Sequence, residues 1–191
     1  MKINLFDFDG TIYDGDSTVD FIKFIIKRNP LAIIWFPFMG FYGLLYVLRF
    51  INKTIMKQGF YKIFMFVKID KKFLDDFWDI HEKKIKKFYI DRNHKNDIII
   101  SASPEFLLRP ICNKLGVMDL IGSVVNQNIG TYTGINCHDV EKVRRLDEKY
   151  SDYKVIESYS DSIKSDRPIL ELAKKAYLVK KDKLILLDLN K

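Results

Sequence analysis

The stretch Lys2-Ile3-Asn4-Leu5-Phe6-Asp7-Phe8-Asp9-Gly10-Thr11 decides how the chain is read. Its apolar run is short and is halted by an acidic turn at Gly10, the pattern of a buried strand rather than a helix. Asp7 and Asp9 stand two residues apart, so in an extended segment both carboxylates point the same way where the chain leaves the sheet. Paired carboxylates at a strand end suit a hard divalent cation, or a nucleophile with its acid/base partner. Gly10 permits the sharp turn that follows.

Further along the chain the strand signal recurs. Asp97–Ile100 is a second strand candidate, followed by Ser101-Ala102-Ser103-Pro104. There Ser103 is placed to cap a helix with Pro104 at its first position and Leu107, Leu108, Ile111 and Leu115 on one face. Leu120–Val125 and Lys154–Ser158 repeat the strand pattern, with helices over Val140–Tyr150 and Arg167–Lys175 and closing strands at Ala176–Val179 and Leu184–Leu187. This alternation predicts a Rossmann-like, doubly wound parallel α/β sheet. Residues 16–96 show no such alternation, only long helical apolar stretches, and read as an all-helical cap inserted into a core domain of residues 1–15 and 97–191. Ligands of open α/β sheets bind beyond the carboxyl ends of the strands, so this insertion is expected over the site.

The 191 residues, 48% hydrophobic and 30% charged, exclude a disordered, collagen-like or coiled-coil chain. Cys112 and Cys137 are too few for a disulfide framework or a four-thiolate zinc site, and the expected setting is the cytoplasm with reduced thiols. The net charge of +7 invites a polyanion as partner. Its distribution is uneven, with ten basic residues against Asp70 alone between Phe21 and Lys72.

Beyond Asp7 and Asp9, Ser101 ends the second strand, Lys142 opens a later helix, and Asp161 ends another strand with Asp166 five residues on. In the loop Ser160–Asp166 one carboxylate is placed to meet a metal, and a second to hold its water shell or the Lys142 ammonium. In this order the motifs resemble the haloacid dehalogenase superfamily of phosphotransferases, with Asp7-Phe8-Asp9-Gly10-Thr11 similar to its first motif, Ser101 to its second, Lys142 to its third, and Asp161 with Asp166 to its fourth. Within it the chain is most similar to the phosphoserine-phosphatase-like branch. SASPEFL, NCHDVEKVRRL and YSDSIKSDRPILELA resemble a subgroup that includes phosphatidylglycerophosphatase C.

The resemblance implies that Asp7 is a nucleophile forming an aspartyl phosphate and Asp9 the general acid/base. It implies Mg²⁺ on Asp7, Asp161 and the Asp9 backbone carbonyl, with Asp166 and Ser162 surrounding it. Ser101, Ala102, Lys142, Gly10 and Thr11 would bind the phosphoryl group. The second carboxylate, Asp9, favours a phosphatase over the dehalogenases that lack it. The expected substrate is an amphiphilic phosphomonoester such as phosphatidylglycerophosphate; the alternative is a small soluble one such as phosphoserine. From another class, a disabled scaffold binding membrane or nucleic acid is opposed by the intact motifs, and no specific nucleic acid is expected.

Asn29–Leu48 carries no charge between Arg28 and Arg49 and is long enough to cross a membrane. A single crossing would divide Asp7 from Ser101, Lys142 and Asp161. Pro37, Gly40 and Gly43 leave two short helices, a re-entrant hairpin or an interfacial helix open, beside the buried centre of a soluble helical cap. Trp35, Phe36, Phe38, Phe41, Tyr42 and Tyr46 and the flanking basic charge favour contact with an anionic membrane surface, peripheral on the inner face of the cell membrane. His81, His94 and His138 show no metal-ligand spacing, and Cys112 and Cys137 read as packing residues.

Overall fold

The opening apolar run becomes β1 (Lys2–Phe6), an inner strand of the sheet in the computed structural model, which describes residues 1–189. It pairs in parallel with β2 (Asp97–Pro104), Asn4 opposite Asp97, and with β6 (Lys154–Ser160), Ile3 opposite Val155. β3 (Asp119–Ser123) lies outside β2, while β7 (Lys175–Lys180) and β8 (Lys183–Leu187) lie outside β6. The six-stranded order is β3-β2-β1-β6-β7-β8, parallel except for the final hairpin.

A parallel sheet must be covered on both faces. One face carries Ile3, Leu5, Ile98, Ile100 and Ile121 against Leu146 of α7 (Val140–Lys149) and Ile169 of α8 (Ile163–Glu171). On the other, Phe6 and Ile99 meet Leu107, Leu108 and Ile111 of α6 (Glu105–Leu115).

Between β1 and β2 run α1 (Ser17–Arg28), α2 (Phe36–Val47), α3 (Lys53–Tyr61), α4 (Lys71–His81) and the short α5 (Lys87–Ile90), joined by 3₁₀ turns. Asp16, Asn52 and Asp70 cap α1, α3 and α4, their side chains accepting N–H groups at 2.9–3.0 Å. The insertion is continuous with the α6 layer. Phe21 and Phe64 meet the Phe106 ring edge-on, and Trp78 Nε1 donates to the Leu107 carbonyl at 2.7 Å.

The buried-centre reading of the apolar run does not hold. In the 3₁₀ turn Pro30–Trp35 only Ala32 is buried, and no residue of α2 is. Leu31 and Val47 are 75% and 74% exposed. The segment is anchored at its start, where Asn29 Nδ2 donates to the Phe66 carbonyl at 2.7 Å, and further on, where Trp35 Nε1 donates to the Gly59 carbonyl at 2.9 Å and the Tyr42 ring covers Gly59 so closely that a β-carbon there would collide with it.

Three other expectations are corrected. Ser103 caps no helix: β2 runs on through it, α6 starts at Glu105, and its N-cap, Pro104, has no side-chain hydrogen bond to offer. The expected Ser160–Asp166 loop ends at Ser162, which caps α8 through the Ser165 N–H, so this helix begins at Ile163 instead of Arg167. Asp166 interrupts it at φ −128°, ψ 15°, ahead of Pro168, which cannot donate the usual bond. The expected strand over Leu120–Val125 divides into β3 and β4 (Val125–Asn126), and β4 pairs with β5 (Thr131–Tyr132) in a separate hairpin. That hairpin grips the insertion, Gln127 donating to the Ile69 carbonyl and Tyr132 N–H to Gln58.

The first turn of α7 is fixed by Glu141, which accepts from Arg144 and Arg145; Arg145 also donates to the Gly122 carbonyl at 2.6 Å and to that of Ile135. The Arg144 hydrogen bond, more than burial opposes, holds the Glu141 carboxyl down at about 2, and Arg145 adds to the effect. Its folded value lies below its ordinary one, so this stabilisation is present above the ordinary glutamate range and is lost as pH falls through about 2. With Arg144 half exposed and screened, Glu141→Gln is expected to cost about 1 kcal/mol at neutral pH. In thermal melts the gap between variant and parent should narrow as the pH is lowered below the glutamate range.

Candidate active site

The site lies along the carboxyl edge of β1, β2 and β6. Phe6 is in register with Ile99 and Tyr159, so Asp7, Ser101 and Asp161 follow on three adjacent strands. Asp7 N–H still bonds across to the Tyr159 carbonyl at 3.0 Å. The chain then turns around the Phe8 carbonyl, which accepts from the N–H groups of Thr11, Ile12 and Tyr13. The turn needs Gly10 twice over, for its φ of +75° and because a β-carbon there would strike the Asp161 carboxylate. Thr11 Oγ1 accepts the Asp161 N–H at 2.8 Å and lies 3.4 Å from Asp7, tying the two loops together. Lys86 donates its ammonium to the Gly10 carbonyl from the far end of the insertion.

Lys142 reaches in from α7 and is 2% exposed, with Nζ 2.6 Å from Asp7 Oδ1 and 2.6 Å from Asp166 Oδ1. The other Asp166 oxygen accepts the buried Ser160 hydroxyl at 2.6 Å. Burial opposes the charge on Lys142, but Asp7 and Asp166 outweigh it and push its pKa above the ordinary lysine value. Burial drives the Asp7 carboxyl up to about 7 against the pull of Lys142, and Asp166 adds to the rise.

Asp9 faces a different environment. Its Oδ1 accepts the Ser17 N–H at 2.6 Å and its Oδ2 the Ser103 hydroxyl at 2.5 Å. Burial and Asp16 raise its pKa, while the bonds from Ser103 and Ser17 pull against them. The two carboxylates of the first motif are thus separated by surroundings, one beside a cation and the other beside neutral donors.

Ser101 is buried and its Oγ accepts the Ser103 N–H at 3.1 Å, which leaves its hydroxyl proton free for another acceptor. The Ala102 carbonyl accepts from Ser123 at 3.0 Å and from Lys57 of α3 at 3.3 Å. The Ser162 hydroxyl bonds Ser165, and its backbone N–H donates to the Ser160 hydroxyl at 3.0 Å.

Asp7, Asp161 and Asp166 each present a carboxylate oxygen, all within 4.8 Å of one another. Loss of solvent, then Asp166, raises the Asp161 carboxyl, so the cluster holds more negative charge than Lys142 alone balances. A hard, oxygen-only donor set with excess negative charge fits Mg²⁺.

Sequence reasoning missed Ser103, Ser160, Thr18 and Lys57. Ser103 had a signal, since period-two alternation sets it on the same face as Ser101 once β2 is extended. Lys57 had none, being one of ten basic residues in its region.

The family model for haloacid dehalogenase-like hydrolases matches residues 5–171. A histidinol-phosphatase of Neisseria meningitidis serogroup C is 22% identical over 95% of this chain and 91% of its own. The fold is similar to that of a Bordetella pertussis protein of unknown function, with a TM-score of 0.71, 19% identity and coverage of 92% and 88%. A phosphoserine phosphohydrolase-like protein from Francisella tularensis superposes with a TM-score of 0.55 at 16% identity, covering 92% of this chain and 86% of that one. With the match spanning the strand ends that carry Asp7, Ser101 and Asp161 and the helix that carries Lys142, the chain belongs to the haloacid dehalogenase-like hydrolases.

Proposed function

We propose that the chain hydrolyses a phosphomonoester through an aspartyl phosphate on Asp7, with Asp9 as general acid and then general base. The observation that carries this is the split between the carboxylates: Asp7 is paired with buried Lys142, Asp9 is held by Ser17 and Ser103. An oxygen of Asp7 attacks phosphorus, the ester P–O bond breaks, and the leaving oxygen takes a proton from Asp9. Water then attacks the phosphoryl group, Asp9 takes its proton, and the bond to Asp7 breaks, releasing phosphate. Lys142 and the free Ser101 proton bind phosphoryl oxygens, with Ala102, Gly10 and Thr11 shaping the cradle. Mg²⁺, held by Asp7, Asp161 and the Asp9 backbone carbonyl and surrounded by Asp166 and Ser162, would supply charge that offsets repulsion between nucleophile and phosphate.

In this reading residues 16–96 form the cap over a core of 1–15 and 97–191. Its surface supports an amphiphilic substrate such as phosphatidylglycerophosphate. Pro30–Val47, with mean hydropathy 1.6, is 6% buried and is the one segment among the described residues long and apolar enough to cross a membrane. A crossing is incompatible with the site, because Asp7 precedes the segment, Lys142 follows it, and the two lie 2.6 Å apart. In this reading the segment lies in the interface of an anionic membrane, on the cytoplasmic face, where Lys27, Arg28, Arg49 and Lys53 at its ends each gain about 1 kcal/mol. Lys57, on the neighbouring α3, places a cation between this surface and Ala102. A small soluble phosphomonoester is the second reading, favoured by the names of the Neisseria and Francisella proteins.

Asp7→Asn is expected to abolish phosphate release from every ester, and chelation of divalent cations to abolish it until Mg²⁺ is restored; appreciable turnover in the variant would sink the nucleophile assignment. Phosphate release from phosphatidylglycerophosphate in mixed micelles should exceed that from phosphoserine and histidinol phosphate, and the reverse order selects the soluble substrate. The protein should sediment with anionic vesicles and not neutral ones, and the double variant F38D/F41D should stay in the supernatant.

A further inference from the structure

We infer that Ser103 is a positioning residue for proton transfer, fixing the plane of the Asp9 carboxyl through a directed chain of hydroxyls in which Thr18 precedes it. The inference rests on Asp9 acting as the general acid. Ser103 Oγ lies 2.5 Å from Asp9 Oδ2 and 3.0 Å from Thr18 Oγ1, and both hydroxyls are buried. While Asp9 is ionised its carboxylate only accepts, so in that state the single Ser103 proton goes to Asp9 and Thr18 is the donor to Ser103. The chain runs one way, from Thr18 to Ser103 to Asp9.

Asp9 is thereby held at both oxygens by different parts of the fold. Ser17 N–H, in the first turn of α1, takes Oδ1, and Ser103, near the end of β2, takes Oδ2. Two donors on two oxygens set both side-chain torsions and leave a lone pair on each oxygen for the proton being transferred. With one donor removed, the carboxyl swings about the other. Since general acid catalysis depends on the proton lying within hydrogen-bond reach of the leaving oxygen, such a swing costs rate without removing the acid.

Ser103 acts twice, and its two actions separate. Its backbone N–H orients the Ser101 hydroxyl at 3.1 Å, while its side chain orients Asp9. Ser103→Ala removes only the second. Ser103 itself is 4% exposed and hydrogen-bonds the acid, so it acts through Asp9.

The test uses two esters of similar shape with the full-length protein and Mg²⁺. The leaving group of p-nitrophenyl phosphate departs as a stable phenolate, whereas that of benzyl phosphate must be protonated as it leaves. The readout is the ratio of kcat/KM for benzyl over p-nitrophenyl phosphate, which covers the steps up to leaving-group departure and is indifferent to a general loss of folded enzyme. S103A should lower the ratio about tenfold, S103T should restore most of it, and T18V should lower it by less than S103A. T18V carries the test if S103A does not fold. A ratio that falls in D9N but not in S103A or T18V overturns the role of Ser103. A ratio unmoved in D9N overturns the acid assignment of Asp9, and the positioning role with it.

Discussion

One buried ammonium organises the molecule. Lys142 stands between Asp7 and Asp166, and all three groups are withdrawn from solvent. Desolvating three charges is expensive, and removing one partner of such a cluster costs about 3–5 kcal/mol because the others remain buried and unpaired. The cluster therefore constrains the end of β1, the start of α7 and the first turns of α8 to meet at one point. Neighbouring features serve that constraint. Glu141 and Arg145 pin α7 to the end of β3, Ser160 satisfies the second oxygen of Asp166, and Ser162 starts α8 early enough to turn Asp166 inward.

The same constraint divides the first motif. Asp7 is drawn to the cation, and Asp9, two residues on and past the start of the turn, is left to Ser17 and Ser103. A pair of chemically identical side chains thus acquires two different environments within one turn of the chain. Gly10 makes this possible by letting Asp161 close against the turn where no side chain would fit.

Much of this was legible in the residues. Short apolar runs bounded by turn signals located all six strands of the main sheet, and the order of Asp7, Asp9, Ser101, Lys142, Asp161 and Asp166 located the candidate site. What was not legible depended on tertiary context. Ser103 and Pro104 satisfy the local rule for a helix start, but the demand of Asp9 for a donor keeps Ser103 in the strand. From the sequence the helix starts at Arg167, because Pro168 obscures the turn before it, which only the Ser162 cap reveals. The apolar run at Pro30–Val47 has the composition of a core helix, and only its aromatic residues and flanking basic charge speak for a segment that the packing leaves outside. Lys57 is one cation among many until α3 aims it at the Ala102 carbonyl.

The insertion between β1 and β2 also sets the order in which the molecule can form. Asn4 and Asp97, neighbours across the sheet, are 93 residues apart, and Thr11 and Asp161 are 150 apart. Closing a loop of that length costs about 4 kcal/mol in chain entropy before any contact rewards it. On the ribosome β1 emerges before both of its neighbours, and β6 is the strand that follows α7, so one edge of β1 stays unpaired until α7 and β6 have been made. The helical segment can gather its own aromatic core meanwhile, drawing the ends of the loop together. The candidate active site, built from contacts 135 and 150 residues apart in sequence, cannot close until β6 has joined the sheet, so its assembly comes late in folding.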